Sequence, residues 1–128
     1  MRLEFKDFAF IGQESLRAAE AATCALEQDS FWQYHDTLFL NQKGENTGAF
    51  SDDHLRNFAA ALGLDEGDFS TCLGSNRYRN EINNGIVAAR DLGVQSTPTF
   101  RINGQLMEGL STFEQFQTII NQELNAAQ

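Results

Sequence analysis

The chain has 128 residues, enough for one domain with a packed core, and its 18 acidic against 9 basic side chains leave a formal net charge of −9. Such a surface repels phosphate backbones, and no basic stripe offsets it, so nucleic-acid binding is not expected. Thirteen Leu, 14 Ala and 11 Phe outnumber the 8 Ile and Val, so helices should outnumber strands, and no apolar run is long enough to span a bilayer.

Residues 2–10 set apolar Leu3, Phe5, Phe8 and Phe10 among Arg2, Glu4 and Lys6. This is the period-two pattern of a strand with one buried face, ended by Gly12. Glu4, Asp7 and Glu14 leave this opening stretch without a clean apolar core, so no signal peptide is expected. Residues 14–28, ESLRAAEAATCALEQ, predict an alanine-rich helix whose small side chains imply close packing against other helices, with Cys24 in its third turn. Ser30 opens a second helix as N-cap, with Gln33 as capping-box partner. Phe31, Tyr34 and Leu38, widened by Trp32 and Phe39, give that helix an apolar stripe whose helical spacing reads as core rather than cofactor contact. His35, between Tyr34 and Asp36, reads as a packed or capping residue.

Residues 41–50 are polar, carry Gly44 and Gly48, and predict a loop. Ser51 caps a third helix that runs through Leu62 and closes at Gly63. Asp65 begins a short fourth helix, with Phe69, Cys72 and Leu73 on one inward face. His54, Asp52, Asp53, Glu66 and Asp68 read as solvated residues of helix starts, where the helix dipole favours the carboxylates. Residues 77–92 predict a long fifth helix with Ile82, Ile86 and Ala89 inward and Gly93 at its end. A strand at 99–102, an Asn103–Gly104 turn and a strand at 105–108 then form a hairpin, for which Asn-Gly is the strongest short-range signal. Ser111 with Glu114 makes a capping box, and Phe113, Phe116, Ile120 and Leu124 the buried face of a closing helix. The order of elements implies an α/β or α+β fold with a helical insertion.

Cys24 and Cys72 lie 48 residues apart, form no CxxC, and with His35 and His54 match no recognised metal spacing, so no metal or other cofactor is expected. The pair reads either as a structural disulfide or as two buried thiols. The only proline, Pro98, directly precedes a strand. It fits an edge-strand start, and it also fits a cis peptide after Thr97.

Four segments in order, EFKDFAFIGQESLRAAEAATCA, FWQYHDTLF, NQKGENTGAFSDDHL and GVQSTPTFRING, resemble the DsbA-like thioredoxin family over essentially all 128 residues. The resemblance implies one thioredoxin-like domain, 1–128, whose helical insertion spans about 14–92. It also implies a cis-proline loop, Ser96, Thr97 and Pro98, that contacts an extended peptide or protein substrate. In that family the reactive CxxC opens a helix upstream of the strand that 2–8 resembles, and this chain begins at that strand, so the strand–CxxC–helix unit is expected to be absent. A natural short form, a misplaced start and a fragment all fit that absence. Cys24 and Cys72 resemble the extra pair that some members carry as a structural bridge.

The resemblance therefore implies a protein thiol–disulfide oxidoreductase relative with no catalytic residue of its own in this chain. The alternative is a degenerate, peptide-binding module. An incomplete sheet, with apolar surface around Phe5, Phe100 and Ile102, is expected to be closed by strand pairing in a homodimer. The family points to an extracytoplasmic setting, whereas the lack of a signal peptide points to the cytoplasm or to a fragment.

Overall fold

A computed structural model describes all residues except 110 and 111. The chain divides into two units, one of Asp7–Ile86 and the other of Met1–Lys6 with Val87–Gln128. The described elements are α1 (Gln13–Leu26), α2 (Phe31–Leu40), α3 (Asp52–Ala61), α4 (Glu66–Gly74), α5 (Arg79–Asp91), β1 (Thr99–Ile102), β2 (Gln105–Glu108) and α6 (Phe113–Ala126).

In the unit of residues 7–86, the alanines of α1 bring backbones close, because a methyl group holds neighbouring helices apart less than any longer side chain. Ala21, Ala22, Cys24 and Ala25 are buried against Tyr34 of α2, Leu55 and Ala59 of α3, and Phe69, Cys72 and Leu73 of α4. The Tyr34 ring packs 5.5 Å from that of Phe69. Its hydroxyl donates to the Leu55 carbonyl at 2.8 Å, so the one polar atom in this core is satisfied. Burial pushes the Tyr34 hydroxyl pKa well above the usual phenol value. Cys24 and Cys72 are joined in a disulfide with Cα atoms 5.8 Å apart, and both are almost fully buried, at 2% and 1% exposed.

A second cluster joins Ala19, Ile82 and Ile86 to Phe8, Ala9, Leu16 and Tyr78. Between the clusters lies Glu20, only 1% exposed in the middle of the alanine run. Arg17 donates to Glu20 at 2.8 Å, and Arg79 donates to both Glu20 oxygens at 3.1 Å. Arg17 also grips Asp52 with two bonds of 2.7 Å and reaches the Leu73 carbonyl at 3.2 Å and the Asn76 side chain at 2.8 Å. The hydrogen bond from Arg17 holds the Asp52 carboxyl below its ordinary value, and Asp52 in turn raises the Arg17 guanidinium.

The loop at 41–50 is tied down from α1. The Glu14 carboxylate accepts from the Gly48 amide at 2.6 Å and the Phe50 amide at 3.3 Å, and the His54 ring donates to the Gly48 carbonyl at 2.9 Å. α3 and α4 begin at the expected caps, Ser51 accepting from the His54 amide and Asp65 from the Asp68 amide.

Four local expectations are corrected. Residues 1–10 join no strand among the described residues. Alternation specifies one-sided burial, but a strand also needs a ladder partner, and Phe8 and Ala9 instead pack with the helical cluster of Ile82 and Ile86. Ser30 is the N-cap of α2 without a side-chain cap, because its hydroxyl donates back to the Gln28 carbonyl at 3.1 Å. Trp32 and Phe39 are exposed rather than core, since Tyr34 takes the buried face of α2. On α6, Phe113 is 75% exposed, Leu124 is exposed and Phe116 and Ile120 are half-buried, so the helix buries no residue fully. Ser111 lies outside the described residues, and Thr112 caps α6 by accepting from the Gln115 amide at 3.2 Å.

A bridge closing a loop of 48 residues stabilises the fold by roughly 4 kcal/mol on the loop-closure estimate. Replacing Cys24 and Cys72 together by Ala should lower the unfolding free energy by about that amount in urea titration. An unchanged midpoint would refute a structural role for the bridge.

Candidate functional site

The end of α5 aims the chain into the site. Gly93, at φ +93°, adopts the left-handed conformation that stops the helix. Its amide donates to the Arg90 carbonyl at 2.9 Å, and the Val94 amide to the Ala89 carbonyl at 3.0 Å, the paired bonds of a Schellman end. The chain then runs through Ser96, Thr97 and Pro98, all exposed, and the Thr97–Pro98 peptide is cis. The Thr99 hydroxyl donates to the Ser96 carbonyl at 2.6 Å and holds the loop against the start of β1.

β1 and β2 pair antiparallel in the register Thr99↔Glu108 to Ile102↔Gln105. The turn residues Asn103 and Gly104 both have positive φ, +47° and +89°, as a two-residue type I′ hairpin requires. The Gly109 amide donates to the Pro98 carbonyl at 2.9 Å, which extends the pairing one step beyond β1. Antiparallel ladders alternate bonded and non-bonded pairs, so Pro98, Phe100 and Ile102 turn their backbone groups toward β2. Thr99 and Arg101 turn theirs to the opposite edge. Among the described residues this sheet has two strands, and the Thr97 amide and carbonyl make no hydrogen bond. The site is thus a backbone edge that starts at Thr97 and continues along β1. Phe100 anchors the hairpin by its ring contact with Phe116 of α6 at 4.9 Å.

Ser96, Thr97 and Pro98 therefore sit together on one exposed loop. Cys24 and Cys72 are bonded on α1 and α4, and exchange requires a thiolate to reach a disulfide sulfur, which burial of both residues denies. Among the described residues no cluster of three or more His, Cys, Asp or Glu side chains could hold a metal ion.

The sequence reading missed Asp7. This carboxyl is largely withdrawn from water, which pushes its pKa up from 3.8 to about 6; Glu81 adds to the rise and His35 opposes it. Its one legible signal was an acid placed between Phe5 and Phe8, where the alternation breaks. His35 donates from Nδ1 to Asp36 at 2.9 Å, with the rings of Trp32 and Phe39 at 5.3 and 4.8 Å.

Comparison with known proteins places these features. A family model described as Thioredoxin matches residues 1–122. A "Probable disulfide bond formation protein D" of Bacillus cereus is 28% identical over 128 residues, covering 97% of this chain and 58% of that protein. Among solved structures, the thiol-disulfide exchange protein alpha-DsbA2 from Wolbachia pipientis matches with a TM-score of 0.77 and 30% identity, over 92% of this chain and 63% of that one. A thioredoxin-like oxidoreductase from Silicibacter pomeroyi also has a TM-score of 0.77, at 22% identity over 94% of this chain and 66% of that one, a likeness of fold. The chain spans about 58% of the length of that Bacillus relative.

Asp7 makes the stability of the helical unit depend on pH. A carboxyl whose folded pKa is raised favours folding while protonated, so stability should fall as pH rises from 3.8 toward about 6 and then level off. Asp7→Asn should remove that slope and raise the unfolding free energy at pH 7 by ~1–3 kcal/mol, measured by urea titration across the range. A slope in the variant equal to that of the parent chain would exclude Asp7 as its source.

Proposed function

The chain belongs to the DsbA-like thioredoxin family of thiol–disulfide oxidoreductases, and from that premise we propose that these 128 residues bind extended peptide but carry out no dithiol exchange of their own. The observation that carries this reading is that the only two cysteines are spent in a buried bridge, with no CxxC anywhere in the 128 residues. Exchange needs an accessible, low-pKa thiolate to attack a disulfide sulfur, and nothing in this stretch supplies one. A bridge of this kind also fits an oxidising compartment.

Ser96, Thr97 and Pro98 are the binding element. An incoming segment pairs with the amide and carbonyl of Thr97, which have no partner among the described residues, and extends along β1, so that affinity comes from main-chain hydrogen bonds and side chains contribute selectivity. The family match over residues 1–122 supports treating 1–128 as one domain with a helical insertion at about 14–92. The same edge would also accept a strand from a second copy, giving a homodimer that completes the sheet.

Incubated with a reduced dithiol peptide or with insulin and a thiol reductant, the chain should give no rate above that of buffer. Rapid oxidation or reduction would overturn the inactive reading. For binding, an extended peptide should lose about tenfold in affinity by calorimetry when the backbone nitrogen that faces the Thr97 carbonyl is methylated, the loss that one hydrogen bond of ~1.4 kcal/mol sets. Thr97→Val should bind the unmethylated peptide as the parent chain does, because only the backbone is used. Equal affinity for both peptides would place binding elsewhere.

A further inference from the structure

The chain holds two Asn-Gly dipeptides in contrasting settings. Asn84–Gly85 lies inside α5, where helix geometry commits the Gly85 amide to the carbonyl four residues earlier and fixes the backbone. Asn103–Gly104 forms the hairpin turn. There the Gly104 amide donates to no group among the described residues, and the space beside its Cα is open. Among the described residues the Asn103 carboxamide has one partner: its Nδ2 donates to Glu123 of α6 at 2.9 Å.

We propose that Asn103 is a site of spontaneous deamidation, and that its conversion releases α6 from the hairpin. The Gly104 nitrogen attacks the Asn103 Cγ, forming an N–C bond to give a succinimide. The Cγ–Nδ2 bond breaks, and Nδ2 leaves as ammonia with the proton given up by the Gly104 amide. Water then adds to either ring carbonyl and opens the ring, giving aspartate or isoaspartate, with no change of oxidation state. Glycine has no side chain to hinder the attack. The product replaces the donor to Glu123 by a carboxylate, so an attraction becomes a repulsion between like charges at the same place. The isoaspartate form also lengthens the backbone of a turn that sets the register of the sheet. The Phe100–Phe116 ring contact still joins the hairpin to the helix.

The test holds the full chain in neutral buffer and follows both dipeptides by peptide mapping and mass spectrometry. The segment with Asn103 should convert at least about tenfold faster than the segment with Asn84, the ratio set by ~1.4 kcal/mol of local helix opening. Asn103→Asp, which mimics one product, should speed hydrogen exchange in residues 113–126. Adding Glu123→Gln should restore the slower exchange, because the new amide donates to the new carboxylate. Equal rates at the two sites, no conversion at Asn103, or exchange in Asn103→Asp identical to the parent chain would each overturn the proposal.

Discussion

A carboxylate that is 1% exposed must be paired, and the helical unit is organised around meeting that requirement for Glu20. Removing such a charge from water costs several kcal/mol unless its oxygens are bonded, and Arg17 and Arg79 bond both of them. Because Arg17 spends its remaining donors on Asp52, the Leu73 carbonyl and Asn76, satisfying one acid on α1 fixes where α3 begins and where α4 ends. Removing a partner would strand the rest, so the cluster specifies the arrangement of helices more than it adds to their stability. The disulfide lies one turn along α1 and fastens the same helix to α4 by a bond that no charge mutation weakens.

Where signals were local, the sequence was sufficient. Asn103–Gly104 between two short apolar stretches read as a hairpin with the observed register, and Asp65 three residues before Asp68 read as the observed cap. The inward face of Phe69, Cys72 and Leu73 followed from helical spacing alone. Failures came where the deciding contact was distant. Alternation in residues 2–10 cannot say whether a ladder partner exists, and Phe8 found helices instead. Phe113 and Leu124 have the spacing of a buried face, but spacing does not supply the surface that would cover them. Glu20, set among alanines, carries no local signal of burial, because the arginine that completes its pairing lies 59 residues away.

The proposed binding loop was legible from the resemblance of GVQSTPTFRING to its family, whereas the edge that is unpaired among the described residues was not. That edge follows from counting the ladder outward from the turn: the Gly109 amide on the Pro98 carbonyl fixes which residues look toward β2. Asp7 belongs to a different class of omission. Its chemistry comes from desolvation, a property of the folded surroundings that no pattern of letters states.

In the proposed binding mode, the alternation along β1 also governs how much an incoming segment can be asked to specify. Side chains follow the same two-residue period as the backbone, so Thr99 and Arg101 lie on one side of the strand and Phe100 and Ile102 on the other. A guest strand laid along this edge therefore meets a polar flank and an apolar flank, and it fits whenever its own residues alternate to match. Sliding it by two positions preserves every backbone bond except those at its ends. Under the proposed binding mode, an edge of this kind would recognise a rhythm of polarity in an extended chain rather than a particular word.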